Sequence, residues 1–284
     1  TFSEMETKPQ TFVIPWDFTP VAENAFKYAV KLSKVSNEPS QIDLVHVLHS
    51  GGSPTKSGKT SEEQVQEMIQ ADKQRLSTAY SVEINTKLLE GSLFDVITDY
   101  ASEVHANMVI MGTHGIKGVQ KLTGSWALKV IAGSDVPFLV VQDEPAKDRI
   151  FSQLVMSIDF RDEEKEKILW ASRMAKQYGS KIHVIVPNSF DSGVKKKISN
   201  NLAFAKKQFE NVGISWEQHN AAKGKSFQEE IVNLAVDLEA DLILIMTAPN
   251  LDFTDYVFGA QEQYIIANRS KIPVMCINFG TINP

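Results

Sequence analysis

The segment Val109–Ile131, VIMGTHGIKGVQKLTGSWALKVI, joins a short apolar run to closely spaced glycines. It predicts a buried strand over Val109–Met111, followed by a loop that carries Gly112 and Gly115. A helix is predicted to begin at Gly124–Ser125. Glycines let the backbone approach a ligand closely, and the start of a helix offers unpaired N–H groups and a positive dipole end. The segment therefore predicts an α/β fold with a phosphate site in the loop after a strand.

The same pattern occurs twice along the 284 residues, which indicates an internal duplication. Five pairs of residues recur in the same order with similar flanking sequence, 133 to 142 positions apart. These pairs are Asp17 with Asp159, His46 with His183, Gly91 with Gly224, Ala106 with Ala240, and Pro137 with Pro273. A polar stretch with a proline, Asp143–Arg149, separates the two copies. We expect two domains, residues 1–145 and 150–284.

Short apolar runs alternate with helical segments in the first copy. Strands are predicted at Thr11–Ile14, Ile42–Leu48, Val82–Leu89, Met108–Met111 and Val136–Val141. Helices are predicted at Val21–Ser33, Ser61–Thr78, Leu93–His105 and Ser125–Ala132. Continuous apolar strands between helices are typical of a parallel sheet that is covered on both faces. The expected fold class is α/β, with two tandem, doubly wound, five-stranded parallel-sheet domains of the Rossmann-like type.

Composition excludes several classes of protein. The net charge of -6 disfavours a general binder of nucleic acid or of anionic membranes. The sequence contains no apolar run near the length of about 20 residues that spans a bilayer. The first ten residues are polar, so no secretory leader is expected, and the single cysteine, Cys276, indicates a reducing, cytoplasmic location. The spacing of cysteine and histidine predicts no metal site other than Mg²⁺ bound with a nucleotide.

Candidate binding residues follow the first and fourth predicted strands. In doubly wound sheets, ligands bind beyond the carboxyl ends of the strands, where the strand order reverses. Asp17 could accept hydrogen bonds from ribose hydroxyls or could cap the helix that follows. Gly112 and Gly115 would present N–H groups to phosphates, or would supply a turn of positive φ. Ser125, after Gly124, could bind a phosphate oxygen or cap its own helix.

Three further positions allow two interpretations each. His114 would contact a phosphate or lie in solvent. Val45 and Met111 would line an adenine pocket or pack in the core. His46 and His183 are interpreted as buried core histidines whose ring nitrogens are hydrogen bonded, because histidine in an apolar strand is more often structural than catalytic. No nucleophile, base and orienting acid can be assembled from the marked loops, so no catalytic residue is predicted.

These residues resemble the universal stress protein family over nearly the whole chain. The run Gly112–Gly115, eight residues and then Gly124–Ser125 is similar to the family's nucleotide-binding pattern, which has nine residues at the same place. Asp17 in IPWDFT matches the family's acidic contact to adenosine. The resemblance implies the adenine nucleotide alpha hydrolase-like fold and an adenine nucleotide, ATP with or without Mg²⁺, as ligand. The predicted binding set is Asp17, Val45, Met111, Gly112, His114, Gly115, Gly124 and Ser125.

The second copy is predicted to bind no nucleotide. Thr247 is taken as the counterpart of Gly112, and Pro249 lacks a donor N–H. Asp252 and Asp255 would place negative charge beside a phosphate. The family contains members of both kinds, so the resemblance implies one binding domain and one degenerate domain.

The sequence is compatible with three functions. The leading hypothesis is a nucleotide-responsive protein of the stress response that acts on an unidentified protein partner. The alternatives are a nucleotide-free interaction module and a slow ATPase. The two domains are expected to pair within the chain as a pseudo-dimer, through Phe138–Val141 and Val274–Ile277; further homo-oligomers remain open.

Overall fold

The computed structural model describes residues 9–35, 39–48, 61–113, 131, 134–222, 225–247 and 260–278. In chain order, the first half contains β1 (Gln10–Pro15), α1 (Pro20–Val35), β2 (Ser40–Leu48), α2 (Ser61–Tyr80), β3 (Ile84–Glu90), α3 (Leu93–Glu103), β4 (Met108–Gly112) and β5 (Phe138–Val141). The second half contains β6 (Gln153–Ser157), α4 (Glu164–Tyr178), β7 (Lys181–Val186), α5 (Ser192–Val212), β8 (Trp216–Asn220), α6 (Phe227–Asp237), β9 (Leu242–Thr247), α7 (Ala260–Ile266) and β10 (Val274–Asn278).

The predicted elements of the first half are confirmed to within a few residues at each end. The exception is the helix predicted over Ser125–Ala132, which lies outside the described residues apart from Ile131. The start of α1 follows from local chemistry. Pro20 occupies its first position, and Thr19 accepts a hydrogen bond at its hydroxyl oxygen from the N–H of Ala22, at 3.4 Å.

The described strands form one ten-stranded sheet in the order β3-β2-β1-β4-β5-β10-β9-β6-β7-β8. All pairings within each half are parallel, as the continuous apolar strands predict. In the first half β1 lies beside β4, with Phe12 next to Met108 and Val13 next to Val109. The strand order therefore reverses between β1 and β4. The carboxyl ends of these two strands lie side by side, where a doubly wound sheet has its binding crevice.

The two halves meet at the antiparallel pair β5 and β10, which we call the seam. Val140 lies opposite Val274, Leu139 opposite Met275, and Phe138 opposite Cys276. The structure confirms the pairing of these two apolar strands that the sequence predicts. Each strand would otherwise present an uncovered edge, which invites association with other chains.

Two core layers cover the two faces of the sheet, and each layer extends across the seam. Alternate residues of a strand contribute to opposite layers, as the twofold repeat of a strand requires. In β5, Leu139 packs in the layer beneath α1, α2, α4 and α5, whereas Phe138 packs in the layer beneath α3, α6 and α7. Within the described residues, no helix is both long enough and apolar enough to cross a bilayer.

The sheet register corrects one of the five repeat pairs. Val13 lies beside Asp43 in β2, and its counterpart Val155 lies beside His183 in β7. The structural counterpart of His183 is therefore Asp43, and the pairing of His183 with His46 is wrong by three residues. A shift by an odd number also exchanges the faces of a strand, so the two histidines lie on opposite sides of the sheet.

Candidate functional site

Asp17 lies just beyond β1 and is half-buried. Its Oδ1 atom accepts hydrogen bonds from the backbone N–H of Thr19, at 3.1 Å, and from the Thr19 hydroxyl. Among the residues that the structure describes, none donates a hydrogen bond to Oδ2. One carboxylate oxygen thus holds the turn that precedes α1. The residue that caps α1 is Thr19, so Asp17 is not itself the helix cap. The other carboxylate oxygen accepts no hydrogen bond from a described residue.

His46 supports the loop that carries Asp17. Its Nδ1 atom lies 2.6 Å from the carbonyl oxygen of Trp16, which can only accept, so Nδ1 carries the proton. The imidazole ring also packs against Phe18, with the ring centres 5.1 Å apart. The prediction that His46 is hydrogen bonded is therefore confirmed, and its bond fixes the residue that precedes Asp17.

Gly112 ends β4 at a point where no side chain fits. A Cβ atom at this position would lie 2.1 Å from the carbonyl oxygen of Val21 in the first turn of α1. Its φ lies outside the left-handed region, so the glycine is required by close approach and not by a turn of positive φ. The end of β4 consequently touches the start of α1, which places the carboxyl end of β4 beside the turn at Asp17.

Val45 and Met111 are buried near the carboxyl ends of β2 and β4, on the face covered by α3. The structure places them in the core layer, which is one of the two interpretations the sequence left open. Four predicted site residues lie outside the described ranges, and their roles stay predictions: His114, Gly115, Gly124 and Ser125.

The corresponding aspartate of the second half has a different environment. Arg161 donates to Asp159 from its backbone N–H to Oδ1, at 2.8 Å, and from Nε to Oδ2, also at 2.8 Å. Its terminal nitrogen lies 2.8 Å from the same Oδ2 atom. Arg161 stands where the first half has Thr19. Its backbone N–H and its guanidinium group therefore occupy one carboxylate oxygen of Asp159 each.

A further ionic pair lies beneath Arg161. Glu164 and Lys167 are both fully buried, with the Lys167 ammonium 2.9 Å and 2.8 Å from the two carboxylate oxygens. Burial raises the pKa of Glu164, and the charge of Lys167 opposes this effect. The first half has Ala22 and Ala25 at these positions. Sequence reasoning missed the pair, because a Glu and a Lys three residues apart on a helix usually lie on its exposed face.

The end of β9 corrects a second sequence assignment. Phe12 lies beside Met108 and its counterpart Leu154 lies beside Leu242, so the register makes Met246, and not Thr247, the counterpart of Gly112. Met246 is buried, at the position where the first half has no room for a Cβ atom. At this end of the second half, α4 begins at Glu164, two positions later than the counterpart of Pro20.

A cavity of about 130 Å³ remains at this place in the second half. Met246, Asp159 and Arg161 contribute to its lining, together with Glu262. Glu262 adds a carboxylate to this lining, and both oxygens of Asp159 already accept hydrogen bonds from Arg161. Three further residues predict that the second half binds no nucleotide, and they lie outside the described residues: Pro249, Asp252 and Asp255.

Comparison with known proteins points to one family. The model of the universal stress protein family matches residues 9–142. Universal stress protein MJ0531 from Methanocaldococcus jannaschii is 32% identical over 143 residues, which are 48% of this chain and 83% of that protein.

Solved structures agree on the fold. The crystal structure of a universal stress protein from Archaeoglobus fulgidus matches with a TM-score of 0.72, and the match covers 94% of this chain and 96% of that chain. At 17% identity this likeness shows the fold alone. A shorter universal stress protein from the same organism was solved in complex with dAMP; it covers 45% of this chain with a TM-score of 0.36, which is too low to bear on the ligand of this chain.

Proposed function

Because the chain belongs to the universal stress protein family, we propose that its first half binds an adenine nucleotide in the crevice between β1 and β4. The ligand is ATP, with Mg²⁺ as its companion ion, and one molecule binds per chain. The proposed binding set is Asp17, Val45, Met111, Gly112, His114, Gly115, Gly124 and Ser125. Residues 1–145 form the binding domain and residues 150–284 the degenerate domain in this proposal.

The observation that carries the proposal is the contrast between Asp17 and Asp159. Thr19 engages only Oδ1 of Asp17, whereas Arg161 engages both oxygens of Asp159. A carboxylate oxygen at the end of β1 is placed to accept from the hydroxyls of a ribose, as an acidic residue does in other dinucleotide-binding sheets. Asp17 therefore retains an acceptor for the nucleotide, whereas both oxygens of Asp159 are already engaged by Arg161.

The phosphates would lie beyond β4, since Gly112 brings that strand against the first turn of α1. The segment from His114 to Ser125 would supply the backbone N–H groups. The adenine would lie against the side of the sheet that carries Val45 and Met111, which are apolar and lie near the same carboxyl ends of the strands. In this arrangement, Asp17 selects the ribose and the glycine segment binds the phosphates.

Nucleotide binding would order the segment after β4 and change the surface that another protein meets. We propose that this change is the means by which the protein acts in the stress response, on a protein partner still to be identified. We also propose a cytoplasmic location, because the single cysteine, Cys276, can form no disulfide within the chain.

Isothermal titration of the full chain with ATP and Mg²⁺ tests the proposal. The expected result is one molecule of ATP per chain, and mass spectrometry of the small molecules released from the purified protein should find an adenine nucleotide. A titration without heat, together with protein free of nucleotide, would refute the proposal and leave the nucleotide-free interaction module in its place.

A further inference from the structure

Three side chains with metal-binding atoms meet on one face of β7 and β8. His183 lies in β7 beside Glu217 in β8, and Ile185 lies beside His219. The Nδ1 atom of His183 is 3.1 Å from Nε2 of His219 and 3.9 Å from a carboxylate oxygen of Glu217. One potential ligand atom from each residue lies within 4.8 Å of the other two. The pairing of the two strands, and not a flexible loop, sets these distances.

The tautomer of His183 suits a metal ligand. Its Nε2 atom lies 2.8 Å from the side-chain oxygen of Gln153 on β6, which accepts a hydrogen bond. Nε2 therefore carries the proton, and Nδ1 presents a lone pair toward His219 and Glu217. A second hydrogen bond of this kind holds most metal-binding imidazole rings in place.

The geometry is close to that of a tetrahedral zinc site. Two imidazole nitrogens that bind Zn²⁺ at their usual distances lie about 3.3 Å apart, and the two nitrogens here are 3.1 Å apart. The same distance also suits a hydrogen bond from His219 to His183, so the histidine pair alone does not decide between the two. Glu217 adds a carboxylate on the same face of the sheet, and two imidazoles with one carboxylate form a ligand set known for zinc.

Lys181 competes with a cation for Glu217. Its ammonium group lies 2.8 Å from Oε2 of Glu217, and the two side chains are 37% and 51% exposed. Ion pairs between exposed side chains are weak in water, so a bound metal can displace this one. Lys181 therefore weakens the site without blocking it.

The first half has a different set of residues at the same place. Asp43 replaces His183, and it accepts hydrogen bonds from Gln41 at 2.8 Å and from Asn85 at 3.2 Å. Gln41 and Asn85 are the counterparts of Lys181 and Glu217, and Lys87 is the counterpart of His219. Glutamine is therefore compatible with the fold at the position of Lys181, which makes Lys181→Gln a suitable test variant.

We propose that His183, Glu217 and His219 bind one Zn²⁺ ion, with a fourth position open to water. Imidazole and carboxylate ligands together suit zinc better than Mg²⁺ or Ca²⁺, which prefer oxygen ligands alone. The ion ties β8, the last strand of the sheet, to its neighbour β7. Because it binds the folded protein, it stabilises this edge of the sheet.

Titration of metal-free full-length protein, without a polyhistidine tag, with ZnCl₂ at pH 7.5 tests the site. Wild-type protein should bind one ion, and Zn²⁺ should raise its thermal unfolding midpoint. His219→Gln and Glu217→Gln should each weaken binding at least tenfold and remove the rise of the midpoint. Lys181→Gln, which introduces the residue found in the first half, should tighten binding severalfold.

Two controls separate this site from other zinc binding. His105→Asn removes an exposed histidine and keeps a residue that tolerates its positive φ, and it should leave the zinc affinity unchanged. Asp17→Asn alters the proposed nucleotide site and should also leave it unchanged. Wild-type affinity in His219→Gln, or wild-type protein that binds no Zn²⁺, would overturn the proposal. Circular dichroism of His219→Gln shows whether that variant is folded.

Discussion

Asp17 divides its two carboxylate oxygens between the protein and the proposed ligand. In Asp17→Asn, the amide oxygen can still accept from Thr19, but the position of Oδ2 becomes an NH₂ group that cannot accept from a ribose hydroxyl. Hydrogen bonds to a charged group contribute about 1.5–3 kcal/mol, so the affinity for ATP should fall by roughly ten- to a hundredfold. Isothermal titration measures this loss.

Asp159→Asn is the matched control for that variant. Arg161 already occupies both oxygens of Asp159, so the substitution should leave the ATP affinity and the stoichiometry unchanged. Equal affinities in wild-type protein and Asp17→Asn would contradict the role of Asp17. A loss in Asp159→Asn would instead place a nucleotide in the second half.

Gly112→Ala tests the contact between β4 and α1. The added methyl group would lie 2.1 Å from the Val21 carbonyl oxygen, and this neighbour is backbone that cannot rotate away. We expect a loss of about 3 kcal/mol in the free energy of unfolding, at the upper end for overpacking in a core. Urea denaturation followed by circular dichroism measures it.

Gly179→Ala provides the comparison for Gly112. Gly179 has a positive φ of 68° at the end of α4, but a Cβ atom there would meet nothing within 4 Å. Only the conformational cost remains, about 1 kcal/mol. If the two variants lost the same stability, the close approach of β4 to α1 would not be what requires a glycine at position 112.

At the scale of the elements, α4 is held by a buried ion pair where α1 has two alanines. Lys167→Met removes the main cation of the buried Glu164 carboxylate and leaves only Arg161, 3.6 Å from Oε1. This should cost about 3 kcal/mol, at the lower end for a broken buried ion pair. The double variant Glu164→Leu, Lys167→Met replaces both charges by apolar groups and should lose less than the single variant. Chemical denaturation of the three proteins at pH 7 gives this comparison.

The loss in Lys167→Met should depend on pH with a definite sign. Burial already raises the pKa of Glu164, and removal of Lys167 takes away the charge that opposes this rise. A carboxyl group whose pKa is higher in the folded state stabilises that state only while it is protonated, and this stability is lost as the pH rises through the folded pKa. The difference between wild type and variant should shrink as the pH falls from 8 to 5. A constant difference would show that packing, and not charge, explains the loss.

The sequence predicts elements better than it predicts how they align. The strands of the first half, and the helices that lie within the described residues, follow from local periodicity and capping. The pairing of His46 with His183 failed because two apolar strands can be shifted against each other without a change in pattern. The pairing of Gly112 with Thr247 was wrong by one position for the same reason, since the register pairs Gly112 with Met246.

Other features of the candidate sites depend on contacts that no local pattern contains. Arg161 follows Asp159 by two positions, but the sequence does not show that its side chain turns back to bind Oδ2 of Asp159 while its backbone N–H binds Oδ1. His183 and His219 lie on different strands, and only the register of β7 and β8 brings their nitrogens together. Zinc sites recognised from sequence usually have ligands close together along the chain, which these histidines lack.

At the scale of the whole molecule, the seam joins the halves into one sheet. Each core layer contains residues of both β5 and β10. The hydrophobic core of one half is therefore continuous with that of the other half. Opening the seam would expose Leu139 and Met275, which are fully buried. We therefore expect the two halves to unfold together and the described core to behave as one cooperative unit.

Cys276 is a natural probe of the seam. It lies in β10 opposite Phe138, is 1% exposed, and is the only cysteine in the sequence. Burial raises the pKa of its thiol, and the thiolate is the reactive form, so folded protein should react with a thiol reagent slowly. We expect labelling to be on the order of a thousandfold slower than in unfolded protein, since it requires global opening. Across a urea series, the labelled fraction should rise at the same midpoint as the loss of circular dichroism, and Cys276→Ala should show no labelling. Labelling at urea concentrations well below that midpoint would mean that the seam opens while the two halves stay folded, and the sheet would then comprise two cooperative units joined at β5 and β10.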